Sequence, residues 1–297
     1  MSKLCFLCGE MILDKSTKEH IIGDSFLARL NLKNQTHTFN HGGSVREYSR
    51  LKLPAHGKCN GEMGSRFEEQ IISLLEAFDD NVDVLRMLHK TKGDETVLAV
   101  KQTLVQWLAK IYIGLVYWES EFFGHNDASH QDHLKSQLNY SLLSQLQACF
   151  KNEWAFTVLS SLYYFRIPSN NDQLDFDFAT GLPSGLIYLK FRNHLLIGCF
   201  SDGYLTEEWF TDHQYIETQK FLDNNPKDRL VYLHAVAHVW SVRENLPIAP
   251  KIDYTADGVV DSSRAGLSGK PPISEEIVSE RAAEILEEHR SLKCRIT

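Results

Sequence analysis

The stretch that decides the fold runs from residue 5 to residue 60, and three short pieces of it matter most: Cys5-Phe6-Leu7-Cys8, Glu19-His20 and His56-Gly57-Lys58-Cys59-Asn60. The first piece holds two cysteines, and the third holds a histidine and a cysteine. Two residues separate the members of each pair, a spacing that lets a tight turn aim both side chains at one ion. The sequence therefore predicts one structural Zn²⁺ held by Cys5, Cys8, His56 and Cys59.

A second set of polar residues lies beside this predicted zinc site. Glu19 is followed directly by His20, and Asn60 comes directly after the last zinc ligand. Oxygen atoms of carboxylates and amides are the ligands that Mg²⁺ and Mn²⁺ prefer, and a histidine titrates near neutral pH. The combination indicates a reaction centre next to the structural metal.

These motifs resemble the HNH (ββα-metal) nuclease superfamily, in the version whose active-site hairpin is braced by a zinc knuckle. The four predicted zinc ligands match the knuckle, with His56 in the place where a fourth cysteine is more usual. The resemblance implies that Glu19 and Asn60 hold a catalytic Mg²⁺ or Mn²⁺ ion and that His20 is the general base. It implies a metal-dependent endonuclease that hydrolyses phosphodiester bonds in DNA, with RNA as an alternative substrate.

The resemblance covers roughly the first quarter of the chain, and one further piece is similar to it. Gln106-Trp107-Leu108-Ala109-Lys110 is similar to a helix that follows the motif in bacterial HNH proteins of about this length. Two features depart from the family pattern: Gly23 stands where a proline is common, and no residue between 40 and 50 clearly matches the one that orients the catalytic histidine. By analogy with bacterial proteins that join an HNH unit to another body, we expect a role in phage defence or in a mobile element.

Two other functions are compatible with the same residues. In the first, the protein is a non-catalytic zinc-knuckle protein that binds nucleic acid, and Glu19 and His20 form a strand-end contact. In the second, it is an interaction scaffold whose acidic C-terminal body does the work, alone or as a homo-oligomer or with a partner protein.

The order of local patterns predicts a ββα unit in the first 80 residues. A short strand is expected at 19–22 and a second one around Leu51-Lys52-Leu53, followed by a helix that begins near Ser65 and carries an apolar face. The polar, glycine-containing segment 36–48 is predicted to be a loop.

The sequence after residue 80 shows different patterns of apolar residues. Helical spacing of apolar residues predicts long helices at 94–118, 134–150 and 229–244, whereas segments at 154–167, 175–179, 186–191 and 194–200 are rich in aromatic and β-branched residues. The last two are expected to form a hairpin around Arg192-Asn193. The predicted fold class is α+β: an N-terminal ββα-metal unit with a zinc knuckle (1–80), then a mainly helical body with a small antiparallel sheet (81–297).

The charge of the chain is unevenly distributed. The net charge is −8, yet residues 1–60 contain nine Lys/Arg and five Asp/Glu, which leaves an excess of negative charge in the remainder. A locally basic unit can bind phosphates with a marked dependence on salt. The predicted contacts to nucleic acid are Arg46, Arg50, Lys52, Lys58 and Arg66.

Composition indicates whether the chain folds and in which cellular compartment it is expected. Apolar residues make up 43% of the chain, which is enough for a folded core, and the apolar runs are too short for a membrane span. The charged N-terminus does not match a signal peptide, so a cytoplasmic location is expected. Cys149, Cys199 and Cys294 are isolated and are predicted to be ordinary thiols, and the pair His234 and His238 is predicted to be structural.

Overall fold

The computed structural model describes residues 4–13, 16–38, 45–62, 68–76, 95–122, 140–151, 160–168, 176–181, 185–200, 202–246, 253–254, 260–261, 283–284 and 287. The chain divides into two compact units, one made of Met1–Val82 and Ala99–Thr157, the other of Asp83–Leu98 and Val158–Thr297. The first unit therefore contains the predicted N-terminal segment together with most of the first long helix of the predicted body.

The first unit is built from short strands and from helices of 6 to 28 residues. Its described elements are β1 (Thr17–His20), α1 (Asp24–Arg29), β2 (Thr36–Thr38), β3 (Val45–Glu47), a 3₁₀ turn (Tyr48–Arg50), β4 (Lys52–Ala55), α2 (Gly57–Glu62), α3 (Glu69–Glu76), α4 (Glu95–Phe122) and α5 (Tyr140–Phe150). The predicted order of strand, strand and helix is present as β1, β4 and the helices that follow.

The two strands that carry the motif residues pair with each other. β1 and β4 are antiparallel, and their register runs from Thr17 opposite Ala55 to His20 opposite Lys52. Side chains alternate between the two faces of a strand, and residues directly opposite each other share a face. Glu19 and Leu53 are buried on the inner face, whereas His20 and Lys52 share the outer one.

The long helix α4 supplies the core of this unit. Trp107, Leu108 and Ile111 are at most 1% exposed, and the Phe26 ring of α1 contacts Trp107 edge to face at 5.4 Å. The predicted helix at 94–118 is confirmed and extends four residues further. Three charged residues of the same helix, Lys101, Lys110 and Glu119, are also buried, and Lys110 is 0% exposed.

The predicted loop at 36–48 was wrong at both of its ends. Residues 36–38 and 45–47 form β2 and β3, which pair antiparallel with Thr36 opposite Glu47. Two three-residue strands are too short to give an alternating pattern of hydrophobicity, so turn-forming residues dominated the prediction.

The second unit contains a four-stranded antiparallel sheet in the order β5-β8-β7-β6. Its described elements are β5 (Ser161–Arg166), β6 (Phe176–Gly181), β7 (Leu186–Phe191), β8 (His194–Cys199), α6 (Leu205–Trp209), α7 (Asp212–Asn224), α8 (Tyr232–Glu244), β9 (Asp253–Tyr254) and β10 (Val260–Asp261). The predicted hairpin is confirmed: Arg192 and Asn193 join β7 to β8, and Arg192 takes a positive φ of 48°, as two-residue hairpin turns require.

Helices cover one face of this sheet. Residues of β5, β7 and β8 pack with α8 in a core that includes Tyr163, Tyr188, Ile197, Tyr232 and Val236. Because the strands are buried on both faces, their sequences read as continuous apolar runs and not as an alternation.

The sequence predicts that Thr206 caps a helix that opens with Glu207-Glu208, but Thr206 lies inside α6, whose N-cap is Tyr204. The side-chain cap is found one helix later, where Thr211 forms a capping box with Gln214 at the start of α7. No helix in the described part of the chain has the length and apolar character needed to cross a membrane. The sequence also predicts a flexible linker or lid at 247–272 and a final helix from Ser274 to about Leu292, and both fall almost wholly outside the described residues.

A buried carboxyl on α4 gives a test of the packing of this helix. Glu119 is 5% exposed, and burial raises its pKa to about 7. A carboxyl that binds its proton more tightly in the folded state stabilises the fold at low pH, and this contribution is lost as pH rises from about 4.5 to 7. Glu119→Gln should therefore raise the free energy of unfolding at pH 8 by up to about 3 kcal/mol, and by clearly less at pH 5.

Urea unfolding at the two pH values measures the difference. An equal change at both pH values would contradict the buried, neutral carboxyl.

Candidate metal centre and adjoining basic cleft

The four predicted zinc ligands come together in the structure. One potential ligand atom from each of Cys5, Cys8, His56 and Cys59 lies within 4.8 Å of the other three. We call this group the Cys/His cluster. In a tetrahedral zinc site with bonds of about 2.3 Å, the ligand atoms lie about 3.8 Å from one another. The distances between the ligand atoms of the cluster exceed this value by about 1 Å at most. Among the described residues it is the only group of three or more such side chains with this geometry.

The histidine of the cluster has its metal-binding nitrogen fixed by a second contact. His56 Nδ1 lies 3.4 Å from Cys8 Sγ and 3.8 Å from Cys59 Sγ, while Nε2 lies 3.3 Å from the carbonyl oxygen of Met11. A carbonyl can only accept, so Nε2 carries the hydrogen and Nδ1 offers its lone pair to the centre of the cluster. Metal-bound histidines are usually oriented by such an outer hydrogen bond.

Backbone hydrogen bonds shape the turn that presents the two cysteines. The amide of Cys5 donates to the carbonyl of Glu10, and the amide of Gly9 donates to the carbonyl of Cys5, both at 2.8 Å. Gly9 takes a φ of +74°, a conformation that favours glycine. The amide of Phe6 donates to the carbonyl of Pro54 at 2.9 Å, which ties this turn to β4.

The thiols of the cluster would have to lose their protons to bind a cation. Burial, together with the neighbouring Cys5 and Cys8, raises the pKa of Cys59 to about 12, and burial also raises the pKa of Cys8. Zinc binds thiolates and displaces their protons, so a cation in the cluster would compensate the charges that otherwise repel one another. The set of three sulphurs and one imidazole fits Zn²⁺.

Glu19 points into the core, where it meets a lysine and a second carboxylate. Lys110 Nζ donates to Glu19 Oε1 at 2.6 Å and to Glu68 Oε1 at 2.9 Å, and these three residues form what we call the ionic triad. Glu19, Lys110 and Glu68 are 3%, 0% and 6% exposed. Burial raises the pKa of Glu19, an effect that Lys110 opposes and Glu68 reinforces. Burial alone would lower the pKa of Lys110, but the two carboxylates raise it above its usual value.

His20 lies on the opposite face of β1 and stays 20% exposed. Its Nε2 lies 3.5 Å from Asp24 Oδ1, and Asp24 is held in turn by Lys33 Nζ at 2.7 Å. Burial, then the nearby Lys52 ammonium, lowers the pKa of His20, which Asp24 partly offsets. The imidazole is therefore mostly neutral at pH 7, the form that can accept a proton.

Asn60 lies on α2 near the start of β1. Its Nδ2 donates to Thr17 Oγ1 and to the carbonyl of Lys18, both at 3.4 Å. Thr17 and Glu19 share the inner face of β1, but among the described residues Asn60 and Glu19 have no hydrogen-bonding partner in common. The structure thus places Glu19 and His20 on opposite faces of β1 and Asn60 on α2, and the three side chains do not gather around one point.

The donor set can still be tested against a divalent ion. Within the described part of the chain, Glu19 Oε2 and Asn60 Oδ1 accept no hydrogen bond, since the contacts of Glu19 involve Oε1 and those of Asn60 involve Nδ2. Both are hard oxygen donors of the kind that Mg²⁺ and Mn²⁺ use. The type of donor suits such an ion, but the two side chains do not gather around one point and Lys110 already occupies one side of the Glu19 carboxylate.

A cleft of about 470 Å³ opens beside the β1–β4 pair. It is lined by Ser16, Thr17, Lys18, Ser49, Arg50, Lys52, Pro54 and Trp118. Three of these side chains are cationic and none is a carboxylate, and we call it the basic cleft. Lys52 lies directly opposite His20 in the strand pairing, so the predicted base and the cleft are neighbours.

The five predicted contacts to nucleic acid are distributed unequally. Arg50 and Lys52 line the basic cleft, with Arg50 Nε also bonded to Glu47 at 2.9 Å. Lys58 is exposed on α2, 3.9 Å from Glu62. The backbone of Arg46 belongs to β3, whereas its side chain, like all of Arg66, falls outside the described residues.

Sequence reasoning missed four contributors to this site. Lys18 and Trp118 line the cleft, Asp24 faces His20, and Lys110 holds Glu19. A signal existed for two of them: Asp24 is four residues after His20, and Lys110 is a lysine on the apolar face of a long helix, a position that usually requires a buried anionic partner.

The two histidines of α8 have partners on the neighbouring helix α7. His238 Nδ1 lies 2.8 Å from Thr218 Oγ1, and the His234 ring stacks on Phe221 at 3.8 Å.

Comparisons of this chain with protein-family models, curated proteins and solved structures give no match.

Removal of one cluster thiolate tests the metal centre. Cys5→Ser should lose the bound zinc and lower the free energy of unfolding of the first unit by about 3 kcal/mol or more, because metal binding and folding are coupled at such sites. Cys149→Ser is the matched control, since Cys149 lies on α5 outside the cluster and accepts a hydrogen bond from Gln106 that serine can also accept. Zinc content by atomic absorption and urea unfolding are the measurements.

Retention of zinc by purified Cys5→Ser, or equal zinc loss in the control, would contradict the assignment of the cluster.

Gly23 tests the packing around the ionic triad. A Cβ atom at this position would lie 2.3 Å from Glu68 Oε2, which is held near Gly23 by the bond to Lys110. Gly23→Ala should therefore displace Glu68 and cost about 1–3 kcal/mol in unfolding free energy. A Cβ at Gly61 on α2 meets no atom within 4 Å, so Gly61→Ala should be neutral or stabilising by up to about 1 kcal/mol.

Urea midpoints of the two variants decide the point. Equal midpoints would show that Glu68 does not approach Gly23.

Proposed function

We propose that the protein is a metal-dependent endonuclease of the HNH type, which hydrolyses phosphodiester bonds in DNA. The observation that carries the proposal is the β1–β4 pair: it is anchored to the Cys/His cluster and presents His20 on its outer face, beside the basic cleft. A neutral imidazole next to bound phosphates is the arrangement that hydrolysis of a phosphodiester by activated water needs.

The basic cleft supplies the binding surface for the substrate. Lys18 and Lys52 offer ammonium groups to backbone phosphates, and Arg50 at the rim adds a guanidinium. Such contacts are independent of sequence and weaken with salt. This supports a nucleic acid as the substrate, and it is consistent with either DNA or RNA.

His20 acts as the general base in this proposal. One ring nitrogen takes a proton from the attacking water, while Asp24, 3.5 Å from Nε2, orients the ring and stabilises the imidazolium that forms. Asp24 would thereby fill the orienting role for which the sequence offered no clear residue between 40 and 50.

Glu19 and Asn60 are the residues that would hold Mg²⁺ or Mn²⁺, through Glu19 Oε2 and Asn60 Oδ1. When bound, such an ion stabilises negative charge on the phosphate and on the leaving oxygen. The zinc in the Cys/His cluster has no part in the reaction. Its role is to hold α2, and with it Asn60, against β1.

One observation favours a second function, a non-catalytic nucleic-acid-binding protein. The carboxylate of Glu19 already has Lys110 as a buried cationic partner at 2.6 Å. In that case the basic cleft binds phosphates, the ionic triad is purely structural, and no divalent ion is needed. The wild-type protein would then shift a plasmid in a gel without nicking it, with or without Mg²⁺ or Mn²⁺.

His20→Ala tests the nuclease directly. Loss of the base should lower the rate of plasmid nicking in Mn²⁺ or Mg²⁺ by about 100-fold or more, because a positioned base contributes about that factor. Zinc content and the urea midpoint should stay at wild-type values. His213→Ala is the control, since His213 is an exposed histidine on α7.

Nicking by His20→Ala at the wild-type rate would exclude this base. A wild-type protein that binds the plasmid and never nicks it would establish the second function.

The basic cleft makes a separate prediction about salt. Lys18→Ala combined with Lys52→Ala should weaken binding to a DNA duplex and lower the slope of log K against log salt by about two, one for each lost phosphate contact. The control pair is Lys220→Ala with Lys227→Ala in the second unit. Filter binding or fluorescence anisotropy at several salt concentrations measures the slope, and an unchanged slope in the cleft variant would place the nucleic acid elsewhere.

A further inference from the structure

Lys110 makes three hydrogen bonds with its three ammonium donors. The acceptors are Glu19 Oε1 at 2.6 Å, the carbonyl oxygen of His20 at 2.8 Å and Glu68 Oε1 at 2.9 Å. An ammonium group has three donors and no acceptor, so its capacity is fully used. The side chain is 0% exposed, and its head group therefore has one defined position.

Two of the three acceptors belong to consecutive residues of β1. Glu19 is held by its side chain and His20 by its backbone, at the point where the pairing with β4 ends. The next residue, Ile21, still donates its amide to the carbonyl of Leu51 at 2.9 Å. Lys110 thus fixes both the direction of the Glu19 carboxylate and the peptide plane that follows the His20 side chain.

The third bond connects this point to the start of α3. Glu68 comes directly before α3, and its carboxylate packs against Gly23, where any Cβ would clash. Glu68 does not contact Glu19 or His20 by a hydrogen bond; it holds Lys110 from the other side. The arrangement joins three segments far apart in sequence: β1, the start of α3 and the middle of α4.

We propose that Lys110 is a positioning residue of the site: through its bonds to Glu19 and His20 it holds the inward carboxylate and the outward imidazole in their working orientation. The effect that this inference predicts on activity rests on the proposed nuclease function. The effect that it predicts on the order of β1 rests on the geometry of β1 alone. The competing account is that the triad contributes only to stability. Buried ion pairs often add little net stability, although removal of one partner destabilises the fold.

The chain offers a matched control on the same helix. Lys101 is also on α4 and is 2% exposed, so Lys101→Met and Lys110→Met remove the same buried charge from the same element. A loss of general stability affects both variants alike. A positioning role affects β1 only in Lys110→Met.

Amide hydrogen exchange supplies the readout that does not depend on activity. In Lys110→Met, exchange of residues 17–22 should rise by about tenfold or more over Lys101→Met, while exchange in β7 and β8 of the second unit stays equal in the two variants. Zinc content should remain at the wild-type value in both. In plasmid nicking, kcat of Lys110→Met should fall by about 100-fold with KM within about threefold, because an interaction that only orients the reacting groups acts on kcat.

Equal exchange in 17–22 for the two lysine variants would overturn the positioning role. If wild-type protein shows no nicking, the proposed nuclease fails, and the exchange arm alone decides the role of Lys110. If Lys110→Met does not fold, Glu68→Gln replaces it: it keeps the two bonds from Lys110 to β1, so kcat should stay within about fivefold of wild type. A drop in Glu68→Gln as large as the one seen in His20→Ala would contradict the assignment.

Discussion

The first unit depends on the Cys/His cluster, which joins a turn at residues 5–8 to the segment 56–59 about fifty residues later. A pair of four-residue strands is not stable by itself in water. In this protein β1 and β4 are held at one end by the cluster and the Phe6–Pro54 hydrogen bond, and at the other end by Lys110. Closing a loop of this length in the unfolded chain costs entropy, which a tightly bound metal offsets.

The alternation of side chains along β1 then separates two kinds of chemistry. Glu19 faces inward and is buried, so its charge requires a cation. His20 faces outward, where Asp24 and Lys52, a residue of the basic cleft, lie near it. A single strand thus carries a buried ionic network on one face and a solvent-accessible imidazole on the other, and the network supports the backbone from which the imidazole projects.

The parts of this structure that sequence reasoning predicted are those with local signals. The paired spacing of Cys5, Cys8, His56 and Cys59 identified the cluster, and the periodicity of α4 and the turn at Arg192-Asn193 identified a helix and a hairpin. The β2–β3 pair was missed because strands of three residues leave no pattern.

The ionic triad was missed for a different reason. Glu19, Glu68 and Lys110 are separated by 42 to 91 positions, and no local pattern reports which buried lysine meets which carboxylate. The same holds for Asn60: its place after Cys59 predicted proximity to Glu19, whereas the fold gives its amide to Thr17 and Lys18. The spacing of residues in the sequence predicts which segments lie close together. The long-range packing of α4 decides which of their atoms are in contact.

The central claim is that a metal held by three sulphurs and one imidazole fixes the geometry of the first unit. Zinc K-edge X-ray absorption on the purified protein tests it most directly. We expect one zinc per chain with about three sulphur neighbours near 2.3 Å and one nitrogen neighbour near 2.0 Å. A protein without zinc, or zinc surrounded only by oxygen and nitrogen atoms, would contradict the claim.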